Sequence, residues 1–284
     1  MNRIMETLAE RYPSLYVDPF SEGAEEAAET AVMTGMPPAR KDLSHFLGSD
    51  RDWLRIEETP AGPVEILYLY ERADFETFLR IISHRCRPAE ILPSVGAQTF
   101  IGLRNWKKIF DHKREYLARG GDRWDEEIVR FDADKEKSRD TLILVSNGPY
   151  SAVPYDKTPW SEEEWTRISL QIRYYHECSH VICRRTFPGL VRPLWDELTA
   201  DLTGLRKAVG RYDPGLAALF LGVTAQGYSG GRLRQYLKEG EDPDRTARDL
   251  YQTIGRLEEI SAGWKAGRSY DLLIWLTDHA LLDR

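Results

Sequence analysis

His176-Glu177-Cys178-Ser179-His180 sets two imidazoles four positions apart, with a carboxylate directly after the first. On an α-helix, residues four apart share one face, so both rings can reach a single ion while Glu177 sits on the flank beside an open coordination position. The pentapeptide is therefore half of a metal site, provided a helix runs through it. The alternative is a pair of histidines satisfied by hydrogen bonds on an ordinary helix. The flanking sequence supplies the helix. Ser161 followed by Glu164 forms a capping box, and Glu162, Glu163 and Glu164 suit the positive end of the helix dipole. The helix is expected to run to about Thr186, before Pro188, Gly189 and Pro193 break the pattern.

A structural metal site closes its tetrahedron with protein atoms, whereas a catalytic one uses three protein donors and leaves the fourth position to water. The best third donor lies in Leu194-Trp195-Asp196-Glu197-Leu198-Thr199-Ala200-Asp201. Glu197 and Asp201 are also four apart. One face of a second helix, over about Leu194–Val209, can thus offer one carboxylate to the metal and another to the N–H of a ligating imidazole. Such a pair alone equally suits a solvated face. Its place 17 positions after His180, beyond the helix breakers, gives the chain room to turn back. Cys183 is a rival donor, since it falls within about 20° of His176 around the same helix. Three donors along one straight helix would, however, be spread over roughly 10 Å.

These residues resemble the gluzincin class of zinc metallopeptidases, whose signature is HExxH on one helix followed by a Glu ligand and a downstream Asp on the next. The resemblance covers about 26 of 284 residues. It implies one zinc per chain held by His176, His180 and Glu197, with Glu177 as general base and Asp201 as hydrogen-bond partner of His176. It also implies a zincin-like fold and the hydrolysis of a peptide or other amide bond by metal-activated water, with a peptide or protein as substrate. The alternative function is a non-catalytic metal-binding regulatory or peptide-recognition protein on the same scaffold. Glu177 favours the enzyme, because a binding module has no use for a base at that position.

The remaining sequence reads as α+β. Short helices are expected over 2–11, 23–33 and around 40–47, a strand over Val64–Tyr70, an amphipathic helix over Asp74–Cys86, a strand over Val95–Leu103 and a charged helix over Asn105–Arg119. Thr141–Val145 is the clearest buried strand, and it ends in Asn147-Gly148-Pro149-Tyr150, where Gly and Pro disrupt regular pairing. The break stands where the gluzincin class carries its substrate-binding edge strand. One reading is therefore peptide docking by strand addition along Asn147–Val153, through Asn147, Gly148 and Tyr150. The other is a plain loop. Beyond Gly210 the pattern is helical: Pro214–Thr224, Gly231–Glu239, Asp244–Trp264 and Tyr270–Leu282. The expected division is an α+β part, residues 1–188, carrying HExxH, and a helical part, residues 189–284, carrying the third ligand, with the site in the cleft between them; a single compact domain is the alternative. Tyr228, in the glycine-rich Gln226-Gly227-Tyr228-Ser229-Gly230, is the first choice for a group that stabilises the transition state, ahead of Tyr251, Tyr270 and His279. Its alternative is an ordinary surface or core tyrosine.

Bulk composition fits an ordinary globular enzyme, 42% hydrophobic and 30% charged. A net charge of −7 argues against general binding to nucleic acid or anionic membranes. Three scattered cysteines make no disulfide framework, no apolar run approaches the roughly 18 residues of a membrane span, and the first residues lack a signal-peptide core. A cytoplasmic protein with no membrane or nucleic-acid partner is expected.

Overall fold

The computed structural model describes residues 3–190 and 192–279. The chain is mixed α+β, with one small sheet and many helices, and it forms two compact units. The first comprises the chain up to Ile56 together with Glu65–Ile91 and Gln98–Ser146, and the second comprises Glu57–Val64, Leu92–Ala97 and the chain from Asn147 onward.

In chain order the first unit draws on α1 (Arg3–Arg11), α2 (Ala24–Thr34), β1 (Trp53–Thr59), β2 (Gly62–Leu69), α3 (Arg72–Ile82), β3 (Ala97–Arg104), α4 (Trp106–Ala118), α5 (Trp124–Ala133), the single turn α6 (Lys135–Ser138) and β4 (Arg139–Ser146). The strands lie in the order β1-β2-β4-β3. The central pair is parallel, running from Glu65 opposite Leu142 to Leu69 opposite Ser146. A parallel pair covered on both faces has no solvent side, which explains why Leu142, Ile143, Leu144 and Val145 are apolar without alternation and fully buried.

The differences from expectation have local causes. No helix forms around 40–47, because the Asp74 carboxylate takes the backbone N–H groups of Leu47 and Gly48, both at 2.8 Å, and holds the segment irregular. Helix α3 stops at Ile82, ahead of the positive φ angles of Arg85 and Cys86, 51° and 62°. Strand β1, with three charges in seven residues, and helix α5, with five in ten, escape a reading based on apolar runs.

The second unit is helical: α7 (Glu162–Thr186), α8 (Pro193–Val209), α9 (Pro214–Leu221), α10 (Pro243–Ala262) and α11 (Ser269–Asp278). The capping box at Ser161 and Glu164 is present in full. In place of the helix expected over Gly231–Glu239 there is one 3-10 turn, Arg232–Gln235, and residues 280–282 of the last expected helix lie outside the described residues. Trp165 and Ile172 of α7 pack in one core with Trp195, Leu198, Leu202 and Leu205 of α8 and with Phe220, Leu257 and Leu272 from the later helices. Each fully buried aliphatic side chain here contributes about 1.5–3 kcal/mol. The indoles are also tied down, Trp165 donating to Val153 O at 2.7 Å and Trp195 to Leu276 O at 3.2 Å. Helices α7 and α8 approach closely where α8 carries Gly204: a Cβ there would stand 2.7 Å from the carbonyl oxygen of Ile172.

This packing places both halves of the candidate metal site in one unit. The division expected between residues 188 and 189 falls inside it, because α7 and α8 bury each other's apolar faces. Among the described residues no helix is long and apolar enough to cross a membrane.

Candidate metal centre

Helix α7 presents His176 and His180 one turn apart, their rings nearly perpendicular at 85° and their Nε2 atoms 3.0 Å from each other. Helix α8 brings Glu197 to the same point, with Oε2 3.4 Å from Nε2 of His176 and Oε1 3.3 Å from Nε2 of His180. One ligand atom from each of the three residues lies within 4.8 Å of the others, and each oxygen of Glu197 stands from its nearer imidazole at about the 3.3–3.4 Å that separates tetrahedral donors around a zinc ion. Two imidazoles and one carboxylate are also the donor types of a catalytic zinc site. The three side chains are largely shielded, at 5%, 14% and 13% exposure for His176, His180 and Glu197.

Around these donors lies a buried polar network. The Asp201 carboxylate is wholly inaccessible, and its Oδ1 stands 2.9 Å from Nδ1 of His176. Accepting the Nδ1 proton leaves Nε2 as the ring's lone-pair donor. Tyr150 donates its hydroxyl to the same Oδ1 at 2.6 Å, and its oxygen is 2.8 Å from Nδ1 of His176. Arg232 donates to Oδ2 of Asp201 at 2.6 Å, while its other terminal nitrogen lies 3.5 Å from Oε2 of Glu197. Tyr236 donates to that same Oε2 at 2.9 Å.

The charges follow from these contacts. Burial acts to lower the His176 pKa, but hydrogen bonds to Asp201 and Glu197 outweigh it and push the ring up to about 10. Burial acts to raise Glu197, yet the hydrogen bonds from His176 and His180 hold it well below the usual carboxylate range. Asp201 is likewise lowered despite burial, chiefly by the Arg232 guanidinium and then by His176. Glu197 and Asp201 thus form an ionised cluster with Arg232 and a protonated His176.

The other expected residues are placed as follows. Glu177 follows His176 on α7 and is half-buried. Cys183 stands apart from the donor group: its Sγ lies 3.3 Å from Thr277 Oγ1, and burial pushes the thiol up to about 11. Tyr228 is not delivered to the donors. Its hydroxyl donates to Gly231 O at 2.9 Å and its N–H to Asp244 at 2.9 Å, which closes the phenol into its own loop. Nor does Asn147–Val153 form a strand for peptide addition. Tyr150–Ala152 make a 3-10 turn with positive φ at Ser151 and Ala152, and the Tyr150 N–H is taken by Ser169 Oγ at 2.9 Å. The carbonyls of Gly148 and Pro149 accept from the Arg173 guanidinium, at 3.4 and 3.1 Å. Tyr150 thus belongs to the floor of the site rather than to a docking edge.

The glycine-rich segment does reach the site, but through Arg232 and Tyr236. Gly222, at φ 70°, lies so close to the Gly230–Gly231 backbone that a Cβ would meet the Gly230 carbonyl oxygen at 1.3 Å. This contact pins the loop and sets Arg232 and Tyr236 over the two carboxylates. The double glycine before Arg232 was the available signal.

No curated protein and no solved structure matches the chain. A family model matches residues 21–262, most of the chain's length, and by it the chain belongs to DUF7005, a family of unknown function.

Proposed function

We propose that this protein is a zinc-dependent hydrolase with a zincin-like catalytic unit, acting on a peptide or other amide bond. The observation that carries this reading is the meeting of two imidazoles and one carboxylate with a ligand atom of each within 4.8 Å of the others, and with the outer nitrogen of one imidazole on a buried carboxylate. His176, His180 and Glu197 would hold the metal, and no fourth His, Cys, Asp or Glu joins the group among the described residues. When bound there, zinc supplies Lewis acidity, making a water easier to deprotonate and an amide carbonyl easier to attack.

The chain's own groups do the rest. Asp201, fixed by Tyr150 and Arg232, keeps the His176 proton on Nδ1 and the ring in one orientation. Glu177, directly after a ligand, takes the proton of the attacking water and returns it to the leaving amine. No acyl-enzyme is needed, in keeping with cysteines that are buried and outside the donor group.

The test compares wild type with Glu177→Gln on a proteome-derived peptide library, reading new termini by mass spectrometry and zinc by elemental analysis. Expected are about one zinc per chain in both, and cleavage by the wild type that a chelator abolishes and the variant lowers by about 10²–10⁴-fold. Cleavage that is equal in the variant would remove Glu177 from the mechanism. A zinc-loaded wild type that cleaves nothing in the library would favour the regulatory or peptide-recognition reading.

A further inference from the structure

The two oxygens of Glu197 have different surroundings. Oε1 faces His180 Nε2 at 3.3 Å, and no hydrogen-bond donor other than that ring is recorded for it among the described residues. Oε2 carries the Tyr236 hydroxyl at 2.9 Å and has the Arg232 guanidinium at 3.5 Å, besides His176 at 3.4 Å. Arg232 cannot drift from this position, since it is only 8% exposed and its other terminal nitrogen is bound to the inaccessible Asp201 at 2.6 Å. One guanidinium thus bridges the ligand carboxylate and the carboxylate that holds His176.

A carboxylate can bind a metal through one oxygen or through both, and the second mode fills one more coordination position. An oxygen that already accepts a phenolic O–H and lies beside a guanidinium has its lone pairs and charge partly committed. Its partner oxygen does not. We propose that Tyr236 and Arg232 are positioning residues that make Glu197 a one-oxygen ligand, bound through Oε1, and so preserve the open position needed for water or substrate. The inference rests on the metal-site reading and concerns the coordination number, not the identity of the reaction.

The test uses the full-length protein loaded with cobalt(II), whose visible absorption is strong in four-coordinate sites and weak at higher coordination. Tyr236→Phe removes one hydroxyl with no change of shape. Arg232→Lys keeps the charge but cannot span both carboxylates. Unchanged circular dichroism and one cobalt per chain serve as controls for folding and occupancy. The wild type is expected to show the strong four-coordinate bands. Tyr236→Phe is expected to weaken them by at least about twofold, and the double variant further, as Oε2 turns onto the metal. Strong bands unchanged in both the single Phe variant and the double variant would overturn the proposal while leaving the metal site standing. A wild type already showing weak bands would also overturn it, and a wild type that takes up no cobalt would remove the metal site and the proposal together. Should Arg232→Lys fail to fold, Tyr236→Phe alone decides.

Discussion

Oδ1 of Asp201 lies 2.9 Å from Nδ1 of His176, and the carboxylate has no exposed surface at all. Water cannot replace this contact, so the ring's orientation depends on it. Asp201→Asn keeps the size and offers an amide in place of the carboxylate, leaving Arg232 with a neutral partner. Zinc affinity is expected to fall by about 10–100-fold. Competition with a chromophoric chelator measures it, and an unchanged Kd would show that Asp201 does not tune the ligand.

Glu197 and Cys183 were rival third donors in the sequence, and the structure separates them. Glu197→Gln is expected to weaken zinc binding by more than tenfold, whereas Cys183→Ser, next to Thr277, is expected to leave it unaltered. Equal losses in the two variants would restore the thiolate to consideration.

Zinc uptake should release the proton that His176 carries. The folded ring titrates at about 10 against an ordinary 6.5, because its bonds to Asp201 and Glu197 outweigh burial. A raised pKa stabilises the metal-free fold fully below about 6.5, and this contribution is lost as pH rises through about 10. A metal needs the neutral ring, so zinc affinity runs the other way and increases with pH over the same window. Calorimetry at pH 7.5 in buffers of different ionisation enthalpy should report at least about one proton released per zinc. Binding heats independent of the buffer would contradict a protonated His176.

Gly222→Ala should disturb the site from a distance. The residue sits at φ 70°, where any side chain is strained, and a Cβ would collide with the Gly230 carbonyl. The backbone cost alone is about 1–3 kcal/mol. Thermal unfolding should show the loss, and zinc affinity should fall with it as Arg232 and Tyr236 shift. Tyr228→Phe in the same loop loses only a bond to Gly231 O and is expected to keep zinc affinity within about twofold.

The grouping of His176, His180 and Glu197 was legible because helical periodicity is local. Four-residue spacing put His176 over His180 and Glu197 over Asp201, and the breakers between them implied a return. The buried strand Leu142–Val145 was legible for the same reason, as an unbroken apolar run. Tyr150, Arg232 and Tyr236 were not, since each reaches the site through a turn whose direction depends on backbone contacts far apart in sequence, such as Gly222 against Gly230. Tyr228 was expected as the transition-state group, but its hydroxyl stays on Gly231 O, and the phenol that meets Glu197 is Tyr236, eight positions later. Of the two readings of Asn147–Val153, strand addition and a plain loop, the structure shows a loop, because Ser169 and Arg173, on α7, claim main-chain groups there.

The meeting of Gly204 with Ile172 has a consequence for how the chain can be altered. Ile172 is four residues before His176 and Gly204 three after Asp201, so this close approach of α7 to α8 lies about one turn from His176 and from Asp201. The spacing of imidazole and carboxylate is therefore gauged by two backbones touching, much as a hinge pin sets the gap of a door. The connection between the helices can be lengthened or exchanged with little effect on that gap, whereas a single methyl group at position 204 would act as a wedge and spread the donors apart.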